Sequence, residues 1–293
     1  MGCYLSSPIT LKDTEKGQNN RFEYTAVGMQ GWRTNMEDSH IANLNFDGED
    51  KSIFGVFDGH GGKEVAKFVK KYFIQELKAN QSYKIGNYTQ ALEDTFFKMD
   101  QLIASADGKR ELENSNSGCT ANVCLIVNNK IYCANSGDSR TVVSQGGKAV
   151  ALSEDHKPDN LKEKERIQKA GGDVFNGRVN GNLNLSRALG DLEYKTNMAN
   201  SQNKDPKSFL ITALPDIKEF DITQETKFIV LGCDGIWECK SNQEIINYFS
   251  ESNTNMPLDK RAENFLDSIL ASSTMGCNSG LDNMTIIIVK IKN

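Results

Sequence analysis

The sequence predicts an α+β fold in which two mainly antiparallel β-sheets pack face to face, each covered on its outer side by a pair of helices. Two observations carry this. The hydrophobic period runs strands, two helices, strands, two helices, strand, and the strands are joined by turns too short for parallel crossovers. A length of 293 residues with 38% hydrophobic content is enough for one large core.

The strands come first: FEYTAVG at 22–28, SHIANLN at 39–45 and SIFGVFD at 52–58 are rich in aromatic and β-branched residues and separated by polar turns. From 63 to 79 the period changes, with Val65, Phe68, Val69, Tyr72, Phe73 and Leu77 on one helical face. Leu92, Phe96, Met99 and Ile103 make a second such face. Strands resume with GCTANVCLIV, an NNK turn and IYCANSGD, then TVVSQ, a Gly146-Gly147 turn and KAVAL, which read as consecutive hairpins. A polar stretch at 154–208 reads as an irregular insertion with one short charged helix near 159–170, stopped by Gly171-Gly172. Strands at 209–222 and 226–234 follow, then a helix pair opened by the capping box Ser241-x-x-Glu244, and finally TIIIVKI. With no internal repeat or linker, the expected organisation is a flexible segment 1–20 and a single domain 21–293 carrying the 154–208 flap.

Composition narrows the function. A formal charge of -5 and a pI near 5.4 argue against a nucleic-acid partner, whose backbone is held by clustered Lys and Arg. The seven cysteines are odd in number, form no Cys-x-x-Cys pair and sit mostly in apolar runs, so a reduced, intracellular protein is expected. No apolar run reaches the roughly 20 residues of a membrane span, and no secretory signal is legible.

Carboxylates recur where apolar strands end: Glu37 and Asp38 before SHIANLN, Asp58 after SIFGVF, Asp138 after IYCANSG, Asp234 after FIVLGC and Asp282 before MTIIIV. Strand ends are rigid mounts. Two carboxylates about 4 Å apart repel by roughly 4 kcal/mol at an effective dielectric near 20, and a cation removes that penalty. All-oxygen ligands suit Mg²⁺ or Mn²⁺, and His40, His60 and His156 lack zinc spacing. Gly59, Gly61 and Gly62 around His60 leave the backbone accessible to an ion or its water. Any single Asp-Gly pair also fits plain turn chemistry, and Asp47-Gly48 and Asp107-Gly108 are read that way.

Taken together, GWRTNMED (31–38), VFDGHGG (56–62), SGCTA (117–121), NSGDSR (135–140), SRALGD (186–191), CDGIWE (233–238) and LDNMT (281–285) resemble, in order, the motifs of the type 2C metal-dependent protein serine/threonine phosphatases. The resemblance implies an αββα sandwich, two Mg²⁺ or Mn²⁺ ions, phosphorylated proteins as partners and hydrolysis of phosphoserine and phosphothreonine without a phosphoenzyme. Asp58, Asp234 and Asp282 would hold one ion, and Glu37, Asp58 and the Gly59 carbonyl the other. Arg33 matches the phosphate-binding arginine and His60 the general acid. Asp38 is grouped with His60 as catalytic, and it falls with Thr120 and Asn283 around the metal waters. Asp138 and Asp234 resemble ligands of a weaker third ion, where Glu238 stands in place of a common Asp. Arg178 and Asp191 of the flap are candidate substrate or third-ion contacts. A Cys-x₅-Arg loop is absent, since Cys133 and Arg140 are separated by six residues. A catalytically dead phosphoprotein-binding relative would have lost metal ligands that are all present here.

Two further expectations concern location and assembly. Met1-Gly2-Cys3-Tyr4-Leu5-Ser6 fits N-myristoylation at Gly2, and Cys3 could take a palmitoyl group as the second signal stable anchoring needs. Lys63, Lys67, Lys70 and Lys71 share one helical face that could meet anionic lipid or simply be solvated. The same terminus also fits an unmodified segment. The expectation is a cytoplasmic monomer, held at the cytoplasmic face of a membrane if acylated.

Overall fold

A computed structural model describes residues 4–113, 115–250 and 255–292. Gly2 and Cys3 lie outside the described residues. A six-stranded sheet contains, in spatial order, Tyr4–Gln18, Phe22–Arg33, Met284–Ile291, Thr226–Gly232, Arg140–Gln145 and Lys148–Ala151. A five-stranded sheet contains Asp216–Asp221, Lys130–Ser136, Ala121–Val127, Lys51–Phe57 and Ser39–Asn43. All pairings within both are antiparallel, as expected.

The helix pair Glu64–Ala79 and Tyr88–Ala104 covers the five-stranded sheet, burying Val65, Phe68, Val69, Phe73 and Leu77 of the first and Leu92, Phe96, Met99 and Ile103 of the second. These are the residues whose 3.6 spacing defined the helices, and each large one contributes about 1.5–3 kcal/mol by burial. Asn242–Ser250 and Leu258–Ile269 cover the other sheet, and the Ser241–Glu244 capping box forms, with the Ser241 N–H donating to Glu244 Oε2 at 2.9 Å. Met284–Ile291 reads as an unbroken apolar run because it is a central strand covered on both faces.

Three expectations change. Residues 4–18 of the expected flexible segment form a strand that pairs with Phe22–Arg33 at the sheet edge. Its side chains are mostly polar, so no apolar alternation announces it. It is held by backbone pairing and by contacts to the helix Leu258–Ile269: Lys16 Nζ lies 2.7 Å from Asp259, Thr14 Oγ1 donates to Glu263 at 2.9 Å, and Lys12 pairs with Asp267. The strand expected at 209–222 is confined to Asp216–Asp221, because Leu210 and Ile211 instead join Ile167, Ala170, Val179 and Ala188 in a small core of the flap's own. The two hairpins read as consecutive belong to different sheets, and the chain crosses between them at Gly137-Asp138-Ser139. The charged helix forms at Leu161–Lys169 and ends before Gly171, which has φ +85°.

The flap is rooted by a buried ionic network. Glu163 accepts from Arg187 at 2.7 Å and from Arg166 at 2.5 Å, and Arg187 also donates to Asp216 at 2.8 Å and to the Leu214 carbonyl at 3.0 Å. His156 completes it. The Gly137 N–H donates to His156 Nδ1 at 3.2 Å, which leaves Nε2–H to donate to Asp216 at 3.2 Å.

Candidate active site

At one end of the sandwich, loops from both sheets meet. Asp58 ends the strand Lys51–Phe57 of one sheet, while Asp234 and Asp282 flank neighbouring strands of the other. Glu37 and Asp38 lie on one sheet-to-sheet connection and Asp138 on another. The close approach depends on Gly235, where an added Cβ would lie 2.1 Å from the Asn283 carbonyl oxygen. The result is a cleft of about 480 Å³ lined by Arg33, Glu37, Asp58, Gly59, His60, Thr120, Asp138, Arg178, Asp234, Asp282 and Asn283.

Carboxylate oxygens of Asp58, Asp138 and Asp234 can lie within 4.8 Å of one another, and Asp38, Asp58 and Cys233 offer a second such group. Burial, followed by the charges of Asp38, Asp234 and Asp138, pushes Asp58 well above the usual carboxylate range. Burial, with Asp138, Asp282 and Glu238, does the same to Asp234. Asp38 is pushed up to about 6, chiefly by burial, although Thr285 donates to its Oδ2 at 2.7 Å. Its Oδ1 is buried with no hydrogen-bond partner. A buried acceptor left open among repelling carboxylates is a donor set that fits a hard divalent cation.

The surrounding polar groups are committed to shaping this set. Thr120 Oγ1 accepts from the Asp58 N–H at 3.1 Å, and the Thr120 N–H donates to the Asp58 carbonyl at 2.8 Å. Asn283 fastens the Glu37 loop: its Oδ1 accepts from the Glu37 N–H at 2.9 Å, while its Nδ2 donates to the Gln30 and Asn35 carbonyls at 2.8 and 2.9 Å. Cys233 accepts at sulfur from the Thr285 N–H at 3.2 Å. Its thiol is driven well above its usual pKa by burial and the nearby Asp38 and Asp58, so it is no nucleophile.

Arg33 lies at the cleft with its guanidinium on Asp282 at 2.5 Å. His60 sits on a short three-stranded sheet with Gly118–Cys119 and Leu189–Gly190, which brings Asp191 beside it, and His60 Nε2 and Asp191 Oδ2 are 2.7 Å apart. Burial alone would lower the imidazole pKa, but the Asp191 hydrogen bond and charge, with Asp138 and Glu37 behind them, raise it. Asp191, expected as a substrate or third-ion contact, is thus the partner of His60. Arg178 does reach the cleft, and its guanidinium donates to the Asn182 carbonyl at 2.6 Å. Lys157 of the flap pairs with Asp138 and lies near enough to Asp234 and Glu238 to interact with both charges. An ammonium group therefore accompanies the carboxylates expected to bind a third ion. Sequence reasoning missed Lys157, Ser139, which shares a 2.7 Å hydrogen bond with Thr120, and Thr285. Lys157 stands outside the motifs that mark the site, in the polar flap.

The protein phosphatase 2C family pattern matches residues 22–277. The chain belongs to the protein phosphatase 2C family. Probable protein phosphatase 2C 5 of Paramecium tetraurelia is 48% identical over 301 residues, with 100% of each chain covered. Protein phosphatase 2C homolog 2 of Hypocrea jecorina is 44% identical, covering 99% of this chain and 67% of its own. The crystal structure of serine-threonine phosphatase 2C from Toxoplasma gondii superposes with a TM-score of 0.78 at 20% identity, covering 96% of this chain and 99% of that one, which supports the fold. Membership makes this protein phosphatase 2C chain a metal-dependent serine/threonine phosphatase.

Proposed function

We propose that the chain hydrolyses phosphoserine and phosphothreonine in proteins by direct attack of water, with two Mg²⁺ or Mn²⁺ ions in the carboxylate cleft. Asp58, Asp234 and Asp282 would hold one ion, and Glu37, Asp58 and the Gly59 carbonyl the other. Such ions, when bound, neutralise phosphate charge and supply water of lowered pKa. The observation that carries the reading is the convergence of Asp58, Asp138 and Asp234 in a cleft that also presents Arg33 and His60. The Arg33 fork suits phosphate oxygens. His60, whose pKa the Asp191 hydrogen bond raises, would give a proton to the departing serine or threonine oxygen. With the Cys233 thiol pushed well above its usual pKa, no thiolate is poised there for a cysteinyl phosphoenzyme.

The test is phosphate release from a phosphothreonine peptide with Mn²⁺ or Mg²⁺ and in excess chelator. Turnover only with metal is expected, and undiminished turnover in chelator refutes the reading. A weaker third ion at Asp138, Asp234 and Glu238 would compete with the Lys157 ammonium group, which pairs with Asp138.

Acylation at Gly2 and Cys3 would add peripheral attachment to a membrane. Among the described residues no helix is long and apolar enough to cross one. The chain's own N-terminal peptide, recovered from its source cell, should carry the acyl masses, and an unmodified peptide refutes this part.

A further inference from the structure

Next to the catalytic cleft runs a second groove of about 760 Å³, between the edge strand Tyr4–Gln18 and the helix Glu64–Ala79. Thr34 and Asn35 line both concavities, so the two adjoin at the loop that carries Glu37. One wall is cationic. Lys63, Lys67 and Lys70 follow one another at helical spacing and are all exposed, and among the described residues none of them has an acidic partner within 4 Å. The neighbouring Lys71, by contrast, is bound to Glu111 at 2.7 Å. The opposite wall carries Ile9 and Leu11, which are 41% and 82% exposed, and Asp13. Glu15, farther along, is held by His40 at 3.1 Å and by the Tyr24 hydroxyl at 2.7 Å, and the charge of Lys70 reaches it as the weakest of the influences on its pKa.

From Lys63 to Lys70 the stripe spans about 10 Å of helix, the length of about three residues of extended chain. We propose that this groove receives the part of a phosphoprotein substrate that flanks the phosphorylated residue, and that it selects segments bearing several Asp or Glu side chains together with an apolar one. The inference deepens the proposed phosphatase function and rests on it. Exposed lysines act additively and are screened by salt, so three of them change capture more than chemistry.

The experiment compares two phosphothreonine peptides of equal length, one flanked on both sides by Glu and Leu residues and one by Ser and Gly. Each is assayed with the metal-loaded full chain and with Lys63→Ser/Lys67→Ser/Lys70→Ser. Expected is a preference for the acidic peptide of about tenfold in kcat/KM, expressed in KM, shrinking as salt rises from about 50 to 500 mM. The triple variant should lose the preference yet turn over an aryl phosphate normally, which shows that it is folded. Equal kcat/KM for both peptides with the unmodified chain overturns the proposal, as does a preference that survives in the variant. If the variant keeps the preference but loses binding to phosphatidylserine vesicles, the lysines face a membrane instead. Anisotropy of the labelled, unphosphorylated acidic peptide reads the groove without turnover. Lysine-dependent binding there, with no hydrolysis of any phosphoester, leaves the groove standing and refutes the phosphatase reading.

Discussion

Glu163→Gln tests how the flap is fixed to the domain. Glu163 is 3% exposed, and burial by itself would raise its pKa, but the Arg187 hydrogen bond and the charges of Arg166 and Arg187 overcome this and lower it from 4.5 to about 2. A pKa depressed in the folded state stabilises it fully above the unfolded value and progressively less as pH falls toward the folded one. The drop corresponds to about 3 kcal/mol at pH 7 and to roughly half of that at pH 3. Glutamine keeps the shape and loses the charge, while Arg187 retains Asp216 and Arg166 retains the Phe209 and Leu210 carbonyls. Urea titrations of both proteins in excess chelator, where the active-site carboxylates affect the two alike, should therefore give a stability gap of about 3 kcal/mol at pH 7 that falls by about half at pH 3. A gap under about 1 kcal/mol at pH 7, or one that does not narrow with acid, refutes this account of the network.

The cleft yields the other predictions. Asp58→Asn and Asp234→Asn should each lower metal-dependent turnover at least about 100-fold while raising the melting temperature in chelator, since each removes a buried charge repelled by its neighbours. A lower melting temperature in chelator contradicts this. Because Asp38 is raised to about 6, its protonated form favours the metal-free fold below about pH 4, and that contribution is lost as pH rises through 6. Added Mn²⁺ should accordingly raise the melting temperature more at pH 7.5 than at pH 5, and equal shifts count against the cation site. His60→Gln should slow phosphopeptide hydrolysis about 10² to 10⁴-fold and an aryl phosphate far less, whereas equal losses reassign His60 to positioning. At Gly118 an added Cβ would lie 2.4 Å from Asp191 Oδ2 and 2.6 Å from His60 Nε2. Gly118→Ala should part that pair and reproduce, more weakly, the His60→Gln pattern, and an unaltered ratio of the two rates refutes the dependence of His60 on Asp191.

The legible parts of the site were those written locally. Asp58 and Asp234 stand directly after apolar runs, and a central strand covered on both faces shows its end where such a run meets a charged residue. What local pattern does not contain is pairing across the chain. Asp191 meets His60 over 131 positions, and Lys12 meets Asp267 over 255. The edge strand Tyr4–Gln18 escaped notice for the same reason, since distant acidic partners hold it more than any apolar face does. The crossing at Gly137 was hidden because a hairpin and a switch of sheets use the same turn residues. Of the glycines read as making room for an ion, Gly59 and Gly62 make room for protein atoms instead: an added Cβ would lie 2.5 Å from the Glu37 carbonyl oxygen at Gly59 and 2.2 Å from Glu64 Oε2 at Gly62, and Gly118 and Gly235 are crowded in the same way.

The edge strand also decides what can be attached where. Tyr4 pairs with Arg33 at the mouth of the cleft, whereas Ile291 pairs with Phe22 at the other end of the same neighbouring strand, roughly 35–40 Å away at 3.3 Å per residue. A fusion partner, dye or bead joined ahead of Tyr4 would crowd Arg33 and the cleft, while one joined after Ile291 would leave them open. Any tether on the leading side, natural or engineered, would present the cleft toward the surface that holds it.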